Sequence, residues 1–250
     1  MSLSFLWAII VKAPLIIGST IFMGTISMIT SVFDPDGRRQ HAISRNWARQ
    51  LLFFAGIRMR VRGLEHVRPG QHFVFAGNHL SLYDTPVVLA CIPRQFLFLV
   101  NVKYVKLPFL GTHLKRSGHF AVDPDDTRAS LRILTDAARR IQELGLSVLL
   151  FPEGRRSNAG LQDFKEGVAY IAIKSGAPVV PFALKGTREV LPIGSGHVRG
   201  GPVELLLGEP IDPTAYTLKQ REEFTAILRE RIAALMEQLD SETQPQREAA

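Results

Sequence analysis

The feature that most constrains this sequence is an uncharged stretch near its beginning. The 21 residues from Ala13 to Phe33 carry no charge, and Lys12 is the only charged residue between Met1 and Phe33. A helix of that length reaches about 30 Å, roughly the hydrocarbon core of a bilayer. A buried core helix usually carries a polar face, which this segment almost lacks. The stretch therefore predicts membrane association, either as a full span or as a re-entrant or interfacial helical hairpin.

Seven arginines follow this stretch within 25 residues: Arg38, Arg39, Arg45, Arg49, Arg58, Arg60 and Arg62. Basic residues beside an apolar segment stay on the cytoplasmic side and attract anionic lipid. Trp47, Leu51, Phe54 and Ile57 repeat at helical spacing, which predicts an amphipathic helix lying on the membrane surface. We therefore expect residues 1–62 to anchor the chain at a membrane, with its functional site at the cytoplasmic face (the inner membrane if the source is bacterial).

The net charge of +7 calls for an anionic partner. Nucleic acid is the weaker explanation because no recognisable nucleic-acid-reading motif accompanies the charge, so membrane lipids and phosphorylated substrates are the expected partners. Cys91 is the only cysteine, which excludes an intramolecular disulfide. Since no Cys/His cluster has metal-ligand spacing, we expect no metal site and no metal or redox cofactor.

After residue 62, short apolar segments alternate with helical patterns. The predicted strands are His72–Ala76, Phe96–Val100, His119–Val122, Ser147–Phe151, Val179–Leu184 and Val203–Leu207, and the predicted helices cover about 85–92, 126–144, 164–175 and 218–239. Continuous apolar strands separated by helices favour a mixed, largely parallel sheet with helices on both faces. We therefore predict an α/β domain over residues 63–240. Residues 241–250 form a polar tail, which we expect to be frayed.

The first candidate motif lies where the predicted strand ending at Ala76 meets the run from Gly77 to Pro86. In sheets covered by helices, ligand sites lie at the carboxyl ends of strands. Ser81 looks like a helix N-cap, which places His79 in the preceding loop and Asp84 in the first helical turn. A carboxylate there can hold one imidazole nitrogen and leave the other free to take a proton. The alternative is that both residues merely cap a helix.

The second candidate motif is the run Phe151–Ser157, after the predicted strand Ser147–Phe151. It contains a glycine, paired arginines and a serine. Arginine presents a planar fork of donors that matches phosphate oxygens. Lys165 and the start of the next helix could add further anion contacts. A solvated basic loop is the alternative explanation of this run.

Together the two motifs resemble the glycerophospholipid acyltransferase family, in particular its 1-acylglycerol-3-phosphate (lysophosphatidate) acyltransferases. Asn78-His79 and Asp84 match that family's Asn-His, four residues, Asp pattern. The run Phe151–Gly154 followed by Arg156-Ser157 matches its Phe-Pro-Glu-Gly-Thr-Arg-Ser block. Further matches in the same order are Lys103 upstream of Leu107-Pro108 and Gly111, the run Gly118–Asp123, and Val180–Ala183. The ordered matches cover about residues 73–184.

The resemblance implies a glycerol-3-phosphate acyltransferase-like fold and the transfer of a fatty acyl group to a lysophosphatidate hydroxyl. The donor would be acyl-CoA or acyl-carrier protein, and the product phosphatidic acid. His79 would be the general base and Asp84 would orient it. The residues implied in substrate binding are Asn78, Lys103, Glu153, Gly154, Arg155, Arg156, Ser157 and Lys165, with Arg116 as a further candidate near the phosphate.

Two positions depart from the family pattern. Arg155 stands where the family has threonine, and Pro124 stands where it has arginine. Both changes alter the charge near the expected phosphate site, so the acceptor could be another lyso-lipid or glycerol-3-phosphate. A non-catalytic lipid-binding protein on the same scaffold is the alternative from a different class. A serine hydrolase is disfavoured because the sequence lacks a Gly-x-Ser-x-Gly elbow.

Overall fold

In a computed structural model of the chain, the structure describes residues 3–107, 110–123 and 125–248. Pro108 and Pro124, which entered the sequence comparison, lie outside these ranges. The α-helices are Leu3–Trp7 (α1), Ala13–Thr30 (α2), Arg38–Ala55 (α3), Asp84–Cys91 (α4), Val102–Val105 (α5), Leu110–Arg116 (α6), Thr127–Leu144 (α7), Gly167–Ser175 (α8), Thr187–Val190 (α9) and Arg221–Glu248 (α10). The strands are Ile57–Arg62 (β1), Val74–Gly77 (β2), Phe96–Asn101 (β3), Phe120–Val122 (β4), Ser147–Leu150 (β5), Val179–Lys185 (β6) and Gly201–Leu207 (β7). Short π- and 3-10-helical segments lie at Ala8–Lys12, Ser31–Phe33, Leu64–His66 and Leu218–Gln220.

The strands form one seven-stranded sheet in the order β1-β7-β6-β2-β5-β3-β4. All neighbouring pairs run parallel except β6 and β7, which are antiparallel. The prediction of a mixed, largely parallel sheet is therefore confirmed.

Alternate residues of β2 pack into different layers, because side chains alternate across a strand. Phe75 packs with residues of α3 and α4 on one face, whereas Val74 and Ala76 pack with residues of α7, α8 and α10 on the other. Helices thus cover both faces, which explains why the central strands are apolar without alternation.

The structure corrects the end of the predicted surface helix. Helix α3 ends at Ala55 because Gly56 adopts a left-handed conformation (φ 74°), and Ile57 begins strand β1, which pairs in parallel with β7. Residues of α3 such as Leu51 and Ala55 are buried, since this helix packs between α2 and α4. Its apolar face therefore contacts protein, although the predicted amphipathic character is present.

The N-terminal helices form a nearly continuous helical segment that lies against α3. From Phe5 to Phe33 it is long and apolar enough to cross a membrane, and it is almost entirely unburied. Its polar side chains contact the protein: Ser19 Oγ donates to Gln50 Oε1 at 2.7 Å, and Thr20 Oγ1 accepts from Trp47 Nε1 at 3.1 Å. The exposed large side chains of this segment are Leu6, Trp7, Ile9, Ile10, Leu15, Ile17, Ile21, Phe22, Ile29, Val32 and Phe33. Most of the outward surface of the segment is therefore apolar, whereas Ser19 and the buried Ser27 face the protein.

Three half-buried histidines, His41, His113 and His119, lie where these helices dock on the sheet. Ser27 Oγ of α2 lies 3.0 Å from His113 Nδ1, and His119 Nδ1 accepts from the Phe98 amide at 3.0 Å. Burial lowers the pKa of His41 to about 4, with Arg45 nearby adding to the effect. Burial lowers the pKa of His119 to about 3 and also lowers that of His113. All three histidines therefore pack as neutral groups at pH 7.

The C-terminal region also differs from its prediction. Helix α10 continues to Glu248, through most of the segment that we expected to be frayed. Two contacts connect this region to the sheet: Arg62 lies 2.5 Å from Glu242, and Lys185 lies 2.7 Å from Asp240. These ion pairs hold the helix to β1 and β6 as far as Glu242.

Candidate active site

Three neighbouring strands place the candidate residues together. Strands β6, β2 and β5 are adjacent and parallel, so the loops that follow them leave the same edge of the sheet. His79 follows β2, the Glu153–Ser157 run follows β5, and Thr187 follows β6. The structure therefore brings the two motifs found in the sequence together and adds a third loop.

The imidazole of His79 contacts the carboxylate of Asp84. Its Nδ1 lies 2.8 Å from Asp84 Oδ2, within the hydrogen-bond distance that the sequence predicts. Asp84 is the first residue of α4, which confirms its place in the first helical turn. Ser81 is not the N-cap, because Tyr83 occupies that position and the Ser81 hydroxyl donates instead to the Leu191 carbonyl at 2.8 Å. In the part of the chain that the structure describes, His79 Nε2 makes no hydrogen bond.

The carboxylate of Asp84 is fully buried and surrounded by donors. Oδ2 accepts from the amides of Leu80 at 2.6 Å and Ser81 at 2.8 Å, in addition to His79. Oδ1 accepts from the hydroxyl of Thr187 at 2.5 Å. Burial of a carboxylate is costly unless such bonds replace water. Asp84 is therefore fixed in position, and it holds one nitrogen of the imidazole.

Aromatic packing fixes the plane of the His79 ring. The ring stacks on Phe151 with centroids 4.1 Å apart and planes 8° apart. Phe151 in turn meets Phe182 edge to face at 6.1 Å. Gly77 leaves room for this arrangement, since a Cβ there would lie 2.2 Å from the Phe182 ring. The side chain of His79 keeps 19% of its surface accessible, so the imidazole can meet a ligand.

Asn78 and Glu153 have structural bonds that the sequence did not reveal. The Asn78 side chain accepts from the Leu184 amide at 2.7 Å and donates to the Leu184 carbonyl at 3.0 Å, which joins the end of β2 to β6. Glu153 accepts from the His79 amide at 2.7 Å and the Gln162 amide at 3.0 Å. Both side chains are buried, so the geometry does not support their predicted direct contact with substrate. They brace the loops instead.

The loop after β5 presents cationic side chains. Gly154 has a φ of 68°, and a Cβ there would lie 3.1 Å from Lys165 Cε, so Lys165 lies over this turn. Arg155 is exposed and Arg156 is half-buried. Ser157 Oγ accepts from the Ala159 amide at 3.1 Å. Within the described ranges, neither arginine forms an ion pair or a hydrogen bond, and Lys165 forms no ion pair.

The two remaining candidates occupy different places. Lys103 follows β3, the neighbour of β5 on the same sheet edge, and its exposed ammonium lies 5.2 Å from the centroid of the Tyr104 ring. Arg116 donates to the Met28 carbonyl at 3.2 Å and to Ser31 Oγ at 3.3 Å. Because these atoms lie at the end of α2, Arg116 stabilises helix docking, and its prediction as a phosphate contact is not supported.

Thr187 and Arg188 were missed in the sequence, although they follow β6 by the same strand-end rule. The Arg188 guanidinium donates to the carbonyls of Ser157 at 3.1 Å and Ala159 at 3.4 Å. It forms no ion pair with any described residue. The local sequence gives no sign that these residues reach two different loops, because both contacts are long-range.

Comparison with known proteins identifies the family of this chain. The family model described as Acyltransferase matches residues 58–185, half of the chain. The chain belongs to this acyltransferase family. The match contains the strand ends, His79, Asp84 and the cationic loop.

Several relatives of this acyltransferase are called 1-acyl-sn-glycerol-3-phosphate acyltransferase. The protein from Limnanthes douglasii is 27% identical over 71% of this chain and 63% of its own length. The chloroplastic LPAT1 from Arabidopsis thaliana is 32% identical over 72% of this chain and 51% of its own length. The relative from Haemophilus influenzae is 25% identical over 79% of this chain and 83% of its own. This chain thus spans between half and two thirds of the length of the plant relatives.

A solved structure shares the fold of this acyltransferase. The crystal structure of the 1-acyl-sn-glycerophosphate (LPA) acyltransferase PlsC from Thermotoga maritima superposes with a TM-score of 0.80. The alignment covers 95% of this chain and 98% of that one, at 22% identity. The similarity includes the N-terminal helices, since nearly the whole chain is aligned.

The site combines an imidazole held by a buried carboxylate with positive charges that form no described ion pair. An imidazole with one nitrogen held by a buried carboxylate can take a proton from a hydroxyl at the other nitrogen. Cations without ion partners can hold an anionic group nearby. Among the described residues, no three His, Cys, Asp or Glu side chains cluster as metal ligands would. The absence of a cofactor stays a prediction.

Proposed function

We propose that this protein transfers a fatty acyl group from a thioester to the sn-2 hydroxyl of 1-acylglycerol-3-phosphate, giving phosphatidic acid. The observation that carries the proposal is the 2.8 Å contact between His79 and Asp84 beside a loop whose arginines have no described ion partner. The names of the relatives support the same acceptor. The proposed donor is acyl-CoA or acyl-carrier protein, without a metal or redox cofactor.

In the proposed mechanism, His79 Nε2 takes the proton of the acceptor hydroxyl while that oxygen attacks the thioester carbonyl. The tetrahedral intermediate collapses when the carbon–sulfur bond breaks, and the thiolate leaves with the proton from the imidazolium. Asp84 keeps the second imidazole proton on Nδ1 and stabilises the positive charge as it forms. General base catalysis of this kind supplies about 10²–10⁴-fold.

The proposed acceptor contacts use the unpaired cations. Arg156 and Lys165 follow β5, and Lys103 lies in α5 directly after β3, so all three are at the carboxyl edge of the sheet and could reach a phosphate on an acceptor whose hydroxyl meets His79. Arg156 is the strongest candidate because it is half-buried and has no described partner. A phosphate in such surroundings makes charge-assisted bonds of about 1.5–3 kcal/mol each.

The test is an acyl-transfer assay with the purified full-length protein. The acceptors would be 1-acylglycerol-3-phosphate, the matched 1-acylglycerol without phosphate, glycerol-3-phosphate and a set of other lyso-lipids, each with acyl-CoA and with acyl-carrier protein. We expect the highest kcat/KM for 1-acylglycerol-3-phosphate. Equal rates with the phosphate-free acceptor would contradict the proposed acceptor, and no transfer to any acceptor would contradict the proposed reaction.

We also propose that the N-terminal segment binds the protein to a membrane, with the site at the cytoplasmic face. The support is the outward-facing apolar surface of the segment Phe5–Phe33. Removal of residues 1–60 would also delete α3 and most of β1, so substitutions in the full chain are the better test. Ile10, Ile17 and Phe22 are 58–67% exposed, and their joint replacement by Gln should move the protein from vesicle-bound to free in a flotation assay.

The matched control replaces exposed leucines of α7, Leu131 and Leu144, with Gln. This variant should stay on the vesicles. If the Ile10, Ile17 and Phe22 variant folds and still floats with vesicles at high salt, another surface carries the attachment.

A further inference from the structure

The turn after β6 is held in place on its far side. Gly186 has a φ of 90°, and a Cβ there would lie 2.2 Å from the Pro202 carbonyl oxygen of β7. Only glycine fits this conformation and this close approach. The two residues that follow, Thr187 and Arg188, therefore leave a fixed point in the sheet.

Thr187 contacts the group that holds the base. Its hydroxyl donates to Asp84 Oδ1 at 2.5 Å, and both residues are 0% exposed. In the described part of the chain, Thr187 is the only partner of this oxygen, whereas Oδ2 has three. Without the hydroxyl, Oδ1 would be buried and unsatisfied, so the carboxylate would rotate or admit water. Either change would disturb the contact with His79.

Arg188 contacts the loop that carries the unpaired arginines. Its guanidinium donates to the carbonyls of Ser157 and Ala159, directly after Arg156. Its Nε is buried, with no hydrogen-bond partner in the described residues. Both bonds come from Nη2, so one end of the guanidinium ties this loop to α9. Thr187 and Arg188 are adjacent in one turn, and they therefore contact both Asp84 and the loop after β5.

We propose that Thr187 and Arg188 are positioning residues. Together they fix the proposed base, His79, and the cationic loop after β5 relative to each other. Thr187 orients the Asp84 carboxylate, and through it the imidazole of His79. Arg188 fixes the loop that contains Arg156. This inference rests on the proposed acyl transfer. It predicts that loss of the Thr187 hydroxyl lowers kcat and that loss of the Arg188 guanidinium raises KM for the acceptor.

The Thr187 half predicts a loss of turnover. Thr187→Val keeps the shape and removes the hydroxyl, so we expect kcat to fall about tenfold or more with KM for 1-acylglycerol-3-phosphate nearly unchanged. Thr187→Ser should restore kcat to within about threefold, because it keeps the donor. The control is Thr225→Val, since Thr225 is also buried but donates only to the Arg221 carbonyl of its own helix.

If Thr187→Val does not fold, Thr187→Ala removes the same hydroxyl without adding a methyl group and should give the same loss of kcat. A Thr187 variant without the hydroxyl whose kcat equals that of Thr225→Val overturns this half of the proposal. So does a Thr187→Ser variant as impaired as Thr187→Ala.

The Arg188 half predicts the opposite pattern. Arg188→Met should raise KM for 1-acylglycerol-3-phosphate about tenfold while kcat changes little. Arg188→Lys keeps the charge and has N–H donors on a shorter side chain, so its KM should lie between those of the wild type and Arg188→Met. Arg128→Met, a charge loss at an exposed position of α7, serves as the control. A wild-type KM in Arg188→Met would overturn the positioning role.

A measurement without substrate separates this inference from the proposed reaction. In protein labelled with ¹⁵N-histidine, and with the His79 signal assigned from its loss in His79→Ala, ¹⁵N shifts report which imidazole nitrogen carries the proton. We expect Nδ1–H alone in the wild type and a mixture in Thr187→Val. If that change occurs but no lysophosphatidate is acylated, the positioning role stands and the proposed function fails. If acylation occurs but the tautomer is unchanged, the Thr187 assignment fails.

Discussion

The loops after β2 and β5 lie side by side, yet their polar side chains differ in the partners that they have within the protein. After β2, Asp84 is buried and has four donors, and Asn78 is bonded through both atoms of its amide. After β5, Arg155 and Arg156 have no described partner. The polar groups of the loop after β2 are bonded within the protein, whereas the two arginines of the loop after β5 form no ion pair with a described residue.

The difference follows from what each loop would have to do. A general base works only if its ring and tautomer are set before the substrate arrives, so its partners must belong to the protein. An anion site gains affinity when its cations have no protein carboxylate to release. Glu153 joins the two loops, because its carboxylate accepts from His79 in one and Gln162 in the other.

The largest effect should come from a substitution in the loop after β2. His79→Ala should lower kcat by about 10²–10⁴-fold, since it removes the proposed base. Binding of lysophosphatidate should stay close to that of the wild type, because the cationic loop is intact. His72→Ala, which removes an exposed histidine, is the control. A His79→Ala enzyme with more than about a tenth of wild-type turnover would contradict the assignment of the base.

A smaller effect, on KM and not on kcat, is expected from a substitution in the loop after β5. Arg156→Ala should raise KM for lysophosphatidate about 10- to 150-fold, the equivalent of one lost charge-assisted bond, with kcat nearly unchanged. The KM for the phosphate-free acceptor should not move. Steady-state kinetics with both acceptors measures the difference. An unchanged preference for the phosphate-bearing acceptor would place the phosphate elsewhere.

Acid pH should weaken the fold at a site outside both loops. The folded-state pKa values of His41 and His119, about 4 and about 3, lie below the ordinary 6.5, so the unfolded chain takes up protons first. Their contribution is complete above about pH 7 and falls as the pH drops from 6.5 toward 4, by up to about 1.4 kcal/mol per unit for each group. The melting temperature should fall across that window.

His119→Asn keeps an acceptor for the Phe98 amide and should show a shallower decline. Equal slopes in the wild type and His119→Asn would exclude His119 as a source of the acid sensitivity.

The smallest effect is expected at the position that departs from the family pattern. Arg155 is exposed and has no described partner, so Arg155→Thr should change KM for lysophosphatidate by less than about threefold. Titration of both arginine variants with the same acceptor gives the comparison. A loss as large as that of Arg156→Ala would mean that Arg155 has taken over a phosphate contact.

Local sequence patterns were enough to predict part of this site. His79 and Asp84 are five residues apart, and a loop entering a helix brings such residues together whatever the rest of the chain does. Gly154 and the arginines also lie within one turn after a strand. The apolar strands and the N-terminal apolar segment were visible for the same reason, because each depends on consecutive residues. The arginines that alternate with apolar residues in β1, however, predict a membrane-surface segment, whereas the structure places them in a strand.

The rest depended on tertiary structure, because the contacts join distant parts of the chain. Thr187 meets Asp84 across 103 residues, Asn78 meets Leu184 across 106, and Glu153 meets His79 across 74. Sequence by itself determined which groups could do chemistry and at which strand ends they lie. Only the order of β6, β2 and β5 in the sheet decided which side chains hold His79 and Asp84 and which form no described ion pair, because that order brings the loops after these three strands to one place on the sheet edge.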